Sequence, residues 1–344
     1  MKRPLPIAHC QFPIGTSTAG PQAVPITSGL SRPAPRTPRA SRLTLHAFTL
    51  LEILVSVALL SVIVLGLFAM FNQTQRAFRQ SMTQTDILEA GRAVTEMIPR
   101  ELEQMTPSHH SPYPLSPYPH GVNFYTELPN STPLTQPLPG NVLPRTNLLQ
   151  DCFILLRQNQ TWTGIGYCVR SVDTNQLLWL PQTEAGNPGK MGAGTLYRFS
   201  ETLAAVQNGL PQDPSRLFGD FAKACQPGTS NTLTRICDGV IHFYFRAFDT
   251  NGVLITTNHT NIVVRYYPPL APGEVGGYTF YSNALPAAVE LELGLLEQHA
   301  WERFNSIPSA AARRAYLQRD DISSRVHLFR QRITIRNVDP SAYR

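Results

Sequence analysis

One long apolar stretch constrains this chain more than any other feature of its sequence. Residues 48–71 read FTLLEILVSVALLSVIVLGLFAMF and contain a single charged side chain, Glu52. As a helix with a rise of 1.5 Å per residue, this stretch spans about 36 Å, enough to cross a hydrocarbon core of roughly 30 Å. The apolar part of an ordinary secretory signal is shorter, about 7–15 residues. The sequence therefore predicts one membrane-spanning helix over residues 48–71.

The segment before this stretch, residues 1–47, carries the excess charge of the chain. It is rich in Pro, Ser, Thr, Ala and Arg and contains no acidic residue. Its six basic side chains account for the net charge of +6, because the other 23 basic residues balance 23 acidic ones. They are Lys2, Arg3, Arg32, Arg36, Arg39 and Arg42. The charge of the main body thus gives no reason to predict nucleic-acid binding. The composition predicts a disordered or processed leader on the cytoplasmic side, with the body across the membrane.

After the apolar stretch, residues 72–105 change to a one-sided helical pattern. Apolar side chains recur there at near-helical spacing, which predicts an amphipathic stalk packed on the protein's own globular domain. They are Phe78, Met82, Leu88, Val94, Met97, Ile98, Leu102 and Met105. Gly91 and Pro99 interrupt the pattern, and Pro99 is expected to kink or restart the helix.

Residues 106–147 are rich in proline, with ten in 42 positions. This composition predicts a linker or insertion that runs over the surface and not an element of the core. His109, His110 and His120 lie in this segment. Because no ligand spacing accompanies them, they are interpreted as solvated histidines, and no metal site is predicted.

From residue 148 to residue 340 the pattern is mainly that of β-strands. Strands are predicted at 152–157, 161–170, 176–180, 194–200, 240–249, 253–257, 261–267, 287–296 and 325–337. The sequence DTNG at 249–252 predicts a hairpin turn, and 308–320 a short helix. In the strand 287–296, Val289, Leu291 and Leu293 alternate with Glu290 and Glu292. The two carboxylates are therefore interpreted as a solvated strand face and not as a catalytic pair.

Four of the five cysteines lie in the predicted body, and the fifth, Cys10, lies in the leader. Their spacing suggests two local disulfides, Cys152–Cys168 and Cys225–Cys237, although four cysteines allow three connectivities. Buried free thiols are the alternative interpretation. A zinc site is disfavoured because no C-x-x-C motif is present.

The single charge in the apolar stretch requires a physical reason. A carboxylate inside a membrane helix costs at least roughly 2.5 kcal/mol at mid-helix, so such residues usually have a function and a cationic partner. If the chain is cut between Ala47 and Phe48, the new α-amino group of Phe48 is a cation one helical turn from Glu52. In an assembly, Glu52 of one subunit could neutralise this ammonium group of its neighbour.

The residues AFTLLEILVSVALL at 47–60 resemble the processing motif of type IV prepilins, a small residue followed by F-T-L-x-E and an apolar run. The resemblance implies that a prepilin peptidase and N-methyltransferase of the inner membrane cuts after Ala47 and methylates Phe48. It also implies a role in assembly for Glu52. The family usually has Gly at the position of Ala47, and its leaders are shorter than 47 residues.

A weaker resemblance covers the segments RAVTEMIPRELEQM (92–105), DGVIHFYFRAFDTNGV (238–253) and ALPAAVELELGLLE (284–297). They are similar to the J-type minor pseudopilin of type II secretion and to prepilin-like proteins of Verrucomicrobia-type cassettes. The resemblance implies an α+β, pilin-like fold, with the long helix packed on a mainly antiparallel sheet. It implies a tip subunit of a pseudopilus or type IV pilus-like filament. The implied partners are other pilin or pseudopilin subunits and the inner-membrane assembly platform, with the C-terminal domain in the periplasm.

Two other classes of function are weighed against a filament subunit. A membrane-anchored binding module for adhesion, DNA uptake or substrate recognition would need an exposed patch, for example TWTGIGY (161–167) or the basic face of 325–337. A tethered enzyme would need a catalytic constellation, and the sequence has no G-x-S-x-G, H-E-x-x-H or phosphate-binding motif. No catalytic residue and no cofactor are therefore predicted.

Overall fold

The computed structural model describes residues 49–110, 121–128, 133–138, 143–173, 176–179, 192–207, 210–225, 232–266 and 274–343. The chain divides into two units, Met1–Val64 and Leu65–Arg344. The described part of the first unit is helical from Leu50 onward. The second unit contains all the strands and the core of the described part of the chain.

The first element is a helix of 53 residues, α1 (Leu50–Leu102), which passes through both predicted interruptions. Pro99 does not break it. Proline removes one backbone donor, and here it does so in the last turn, where the Glu103 N–H still donates to the Pro99 carbonyl at 2.9 Å. Gly91 marks a close approach: a methyl group there would lie 2.1 Å from Cζ of Phe329. The expectation that the helix restarts at Pro99 was therefore wrong.

Ten of the described strands form one antiparallel sheet, which with α1 gives an α+β architecture. In chain order the strands of the structure are β1 (Val122–Glu127), β2 (Leu134–Gln136), β3 (Arg145–Asn147), β4 (Asp151–Gln158), β5 (Thr161–Asp173), β6 (Gln176–Trp179), β7 (Gly194–Ala204), β8 (Val206–Gln207), β9 (Leu210–Pro211), β10 (Leu233–Phe248), β11 (Ile262–Arg265), β12 (Gly277–Tyr281), β13 (Ala288–Leu296) and β14 (Val326–Thr334). The order across the sheet is β11-β12-β1-β4-β5-β7-β10-β13-β14, with β6 paired to β5.

Four shorter helices complete the second unit. They are α2 (Ser215–Ala224), α3 (Gln298–Asn305), α4 (Ala310–Leu317) and α5 (Asp320–Ser323). The helix predicted at 308–320 corresponds to α4, whereas α2 and α3 have no counterpart among the predicted elements. A 3₁₀ turn, Pro340–Tyr343, ends the described chain.

The core lies on both faces of the sheet. On one face, the last third of α1 buries a stripe against the strands, together with apolar side chains of α3, α4 and α5. The α1 stripe consists of Ile87, Val94, Ile98 and Leu102, and Met105, just after the helix, continues it. On the other face, α2 covers β4, β5 and β7 in a second apolar cluster. At roughly 25 cal/mol per Å² of buried apolar surface, such two-sided burial is the main stabilising contribution.

Two expectations about the body differ from the structure. Residues 121–128 lie in the segment predicted as a linker, yet β1 is an inner strand between β12 and β4, with Phe124 fully buried. The prolines therefore lie before and after this strand and do not prevent it from forming.

The second difference concerns the hairpin predicted at 249–252. The sequence DTNG forms the predicted turn, with Gly252 at a φ of +77°. The residues after it make only an isolated bridge, Phe248 to Leu254, instead of the strand predicted at 253–257.

Candidate functional site

The predicted cleavage position, Ala47–Phe48, lies outside the described residues, which begin at Thr49. Thr49 and Glu52 form a reciprocal cap at the start of α1. The Thr49 N–H donates to Oε2 of Glu52 at 3.0 Å, and the Glu52 N–H donates to Oγ1 of Thr49 at 3.3 Å. The Thr49 hydroxyl also donates to Oε2 at 3.0 Å. This is a capping box, which satisfies backbone donors that the first helical turn leaves unpaired.

The capping box gives Glu52 an intrachain role that the sequence analysis missed. The signal was present, since T-L-L-E before an apolar run matches the S/T-x-x-E pattern of a capping box. Only Oε2 is used in it. Within the described part of the chain, Oε1 of Glu52 accepts no hydrogen bond. The carboxylate can therefore cap its own helix and still accept a hydrogen bond from a group outside the described chain.

The first part of α1 is apolar on all sides and exposed. This is the one helix, among the residues described, that is long and apolar enough to cross a membrane, and none of its most apolar window is buried. Its large side chains are about half to four-fifths exposed, including Leu50, Ile53, Leu59, Val62, Leu65 and Phe68. A helix that is apolar all round belongs in a membrane or in the core of a larger assembly.

The amphipathic part of α1 is buried only in its second half. Val94, Ile98, Leu102 and Met105 are covered by the sheet as predicted, but Phe78, Met82 and Leu88 remain more than half exposed. The expectation that the whole stripe packs on the protein's own domain was therefore wrong for its first half. We call the exposed side chains Phe71, Phe78 and Met82 the free stripe.

The free stripe borders an open groove beside α3. The groove has a volume of about 840 Å³ and lies between residues 79–84 of α1 and residues 297–302 and 324–325. Apart from Met82 its lining is polar or charged, with Arg79, Glu297, Glu302 and Arg325. The polar groove and the apolar free stripe together resemble the rim and core of a protein–protein interface.

The four cysteines of the body are buried, and none is in a disulfide. Cys152 pairs with Tyr167 across β4 and β5, so that Cys152 and Cys168 point to opposite faces of the sheet. Cys152 and Cys237 belong to the core beneath α1, whereas Cys168 and Cys225 belong to the cluster beneath α2. The structure therefore does not bring together either of the local pairs, and it places Cys168 with Cys225 instead.

Glu290 and Glu292 lie on the sheet face away from the α1 core, as the alternation predicts, but this face is not simply solvated. Arg246 Nη1 donates to Glu290 Oε1 at 2.9 Å, and Arg330 Nη2 donates to the same atom at 2.7 Å. His242 Nδ1 accepts from the Leu148 N–H at 3.0 Å, so the neutral ring carries its proton on Nε2, 3.3 Å from Glu292 Oε2. Both carboxylates are thus bound in a cross-strand ion-pair network that has a structural explanation.

This network makes stability depend on acid pH. Burial tends to raise the pKa of Glu292, but the hydrogen bond from His242 and the charge of Arg246 outweigh it and lower the pKa to about 2. A lowered pKa stabilises the folded state above the ordinary value of 4.5, and this contribution disappears as the pH falls toward 2.

We expect Glu292→Gln to lower the free energy of unfolding at pH 6 by at most about 3 kcal/mol and to have little effect near pH 2. The measurement is urea unfolding of the full chain in detergent across this pH range. Glu302→Gln, on the exposed side of α3, is the control and should leave the profile unchanged. A constant difference between wild type and Glu292→Gln at all pH values would contradict the assigned ion pairing.

Of the two surfaces considered for a binding module, TWTGIGY is not an open patch, whereas the basic face of 325–337 is largely exposed but has arginines engaged within the chain. TWTGIGY lies in β5, and its side chains are buried or partly buried. On the basic face, Arg330 bonds to Glu290, and Arg332 lies over the ring of Phe248 at 3.9 Å. In the described ranges no group of three His, Cys, Asp or Glu side chains is placed to hold a metal ion.

Comparison with known proteins does not assign the chain to a class. No protein-family model, no curated protein and no solved structure matches it.

Proposed function

We propose that this chain is a minor pilin or pseudopilin, stored in the inner membrane and incorporated near the tip of a filament of the type II secretion or type IV pilus kind. One observation carries the proposal. A single helix, α1, exposes apolar side chains all round at its start and buries one face on an antiparallel sheet at its end. A subunit with this division can leave the bilayer and pack its apolar helix against the same helix of other subunits.

The proposed processing step takes place just before the start of α1. The basic leader stays in the cytoplasm, and a prepilin peptidase cuts between Ala47 and Phe48 and methylates the new amine. The capping box lies wholly in the mature chain, since Thr49 and Glu52 both follow the cut. The helix start is therefore stable before and after processing.

Assembly uses the free side of the Glu52 carboxylate. In the bilayer the charge is tolerated near the interface and stabilised by the cap and by the helix N-terminus. On docking, the ammonium group of Phe48 in a neighbouring subunit approaches Oε1, which accepts no bond within the described chain. Because an unpaired charge between packed apolar helices is costly, this pairing selects one axial register between subunits.

The free stripe extends the contact beyond the membrane. Phe71 ends the apolar segment, Phe78 and Met82 follow it on α1, and Met82 borders the polar groove near α3. In a filament they would pack against the helix of the next subunit. The rival function, a tethered binding module, receives less support, because TWTGIGY is buried or partly buried and because Arg330 and Arg332 on the exposed basic face are engaged within the chain.

The test is mass spectrometry of the N-terminus of the protein extracted from membranes of a host that has a prepilin peptidase. We expect the mature chain to begin at N-methylated Phe48. Ala47→Leu, which enlarges the residue before the cut, should accumulate the unprocessed chain, and Ala47→Gly should be processed normally. An intact leader on the wild-type chain, or a cut after residue 71, would overturn the proposal.

A further inference from the structure

Helix α2 lies on strand β5 in a regular register. Residues 164, 166, 168 and 170 of β5 point to the same face, because side chains alternate along a strand. A methyl group at Gly164 would lie 2.9 Å from Cβ of Leu217, and one at Gly166 would lie 2.1 Å from the ring of Phe221. Two residues along the strand thus correspond to four residues along the helix. These distances match, at about 6.6 Å and 6.0 Å.

The next step of this register pairs Cys168 with Cys225. Cys225 is the residue directly after α2, and both thiols are buried in the cluster beneath this helix. The following strand residue on the same face, Arg170, also reaches this point, since its Nε donates to the Cys225 carbonyl at 3.4 Å. The contacts of Gly166 and Arg170, the same-face residues on either side of Cys168, therefore place the end of α2 above Cys168. The Cys168 thiol is a neighbour of the Cys225 thiol and contributes to raising its pKa.

We propose that Cys168 and Cys225 form a disulfide that ties the end of α2 to β5 in the exported protein. This proposal rests on the proposed function in one respect only, which is that the domain is exported to an oxidising compartment. The two thiols lose two protons and two electrons as the S–S bond forms. The electrons pass to the disulfide of a protein dithiol oxidase, which becomes a dithiol by thiol–disulfide exchange. Cys152 and Cys237, on the opposite face of the sheet, remain thiols.

The bond forms while the chain folds and not afterwards. Burial, with the neighbouring Cys168 as a further cause, raises the pKa of the Cys225 thiol well above its ordinary value. Exchange needs a thiolate, so a thiol beneath a docked helix reacts slowly. Before α2 docks on β5 both thiols are accessible to the oxidase. Docking of Leu217 and Phe221 on the two glycines then brings the pair together and covers the product.

The first test uses the full chain purified in detergent and reduced. It is incubated with oxidised glutathione in mild denaturant and returned to native buffer. Free thiols are then alkylated, and the chain is digested without reductant. We expect mass spectrometry to find one linked peptide pair, containing Cys168 and Cys225, and alkylation at Cys152 and Cys237. A Cys152–Cys168 bond, a Cys225–Cys237 bond, or alkylation of both Cys168 and Cys225 in the wild-type chain would overturn the pairing.

Cysteine variants test which residues form the bond. Cys225→Ser should abolish the linked pair and leave Cys168 alkylated, whereas the matched control Cys237→Ser should keep it. In the wild-type chain, reduction should lower Tm by roughly 5 °C or more, and it should have no such effect in Cys168→Ser. The same shift in Cys168→Ser would assign the stabilisation to another bond and contradict the proposal.

The second test examines the protein from cells, with thiols trapped by acid and alkylated at lysis. We expect the same linked pair, lost in a strain that lacks the dithiol oxidase. If the pair forms with glutathione but both thiols are free in cells, the pairing is correct and the extracytoplasmic location is wrong. If it forms in neither, the pairing is wrong whatever the location. The two failures are therefore distinguishable.

Discussion

Replacement of Arg170 by Met is expected to lower the free energy of unfolding by about 3–5 kcal/mol, because it leaves a buried carboxylate without its cation. The Arg170 side chain is 1% exposed and that of Asp151 is 10% exposed. Nη1 and Nη2 of Arg170 donate to Oδ1 and Oδ2 of Asp151 at 2.8 and 2.7 Å. Burial tends to lower the pKa of Arg170, but the carboxylate reverses this effect and raises it well above its ordinary value.

The measurement is urea unfolding of the full chain in detergent, with reductant present so that no disulfide contributes. Arg216→Met is the matched control, since its ion pair with Asp220 is exposed on α2 and its loss should cost at most about 1 kcal/mol. The double variant Arg170→Met with Asp151→Leu should recover much of the loss, because neither charge then remains buried. A loss below about 1 kcal/mol for Arg170→Met would contradict this account of the pair.

The ion pair also illustrates what the sequence does not reveal. Asp151 and Arg170 stand 19 positions apart in two strands whose predicted bounds exclude Asp151. Nothing in the local pattern identifies their contact. It depends on the register of β4 and β5 and on the cover supplied by α2, a helix the sequence analysis did not predict. The pairing of Asp151 with Arg170 is therefore determined by tertiary structure and not by the local sequence.

The opposite facing of Cys152 and Cys168, by contrast, was within reach of the sequence. Gln158 pairs with Thr161 across a two-residue turn at Asn159–Gln160, and Asn159 has a φ of +55°. Counting back from this turn sets Cys152 opposite Tyr167 and therefore puts Cys168 on the other face. Spacing along the chain suggested a local disulfide because it ignored this alternation. The alternation of side chains along each strand was a better guide to which cysteines can meet than their spacing in the sequence.

The strands were predicted where alternation was strong, and missed where flanking residues disguised it. The pattern in 287–296 corresponds to β13 within one residue at its start. Strand β1 was missed because prolines surround it, although VNFYTE contains β-branched and aromatic residues and alternates between buried and half-buried side chains from Phe124 onward. The long helix was predicted from apolarity alone. Which part of its amphipathic segment is buried and which is exposed could be seen only from the position of the sheet.

The largest functional effect is expected for Glu52→Gln. This change keeps an oxygen that can complete the capping box but removes the charge that would attract the ammonium group of a neighbouring subunit. Truncating one partner of a desolvated charge pair costs about 2–5 kcal/mol, so incorporation into filaments should fall at least about 30-fold. Processing should be unaffected, because the cut lies four residues away and the helix start is preserved.

The readout is the fraction of mature subunit in sheared or extracted filaments, with processing checked by mass spectrometry of the N-terminus. Thr49→Ala is the matched control. It removes the hydroxyl of the capping box, at a cost of about 1 kcal/mol to the helix start, but retains the Glu52 carboxylate. Its assembly should therefore stay near that of wild type. Wild-type assembly of Glu52→Gln would exclude charge pairing as the device that sets the register. Equal defects in both variants would also contradict charge pairing, because Thr49→Ala retains the Glu52 carboxylate.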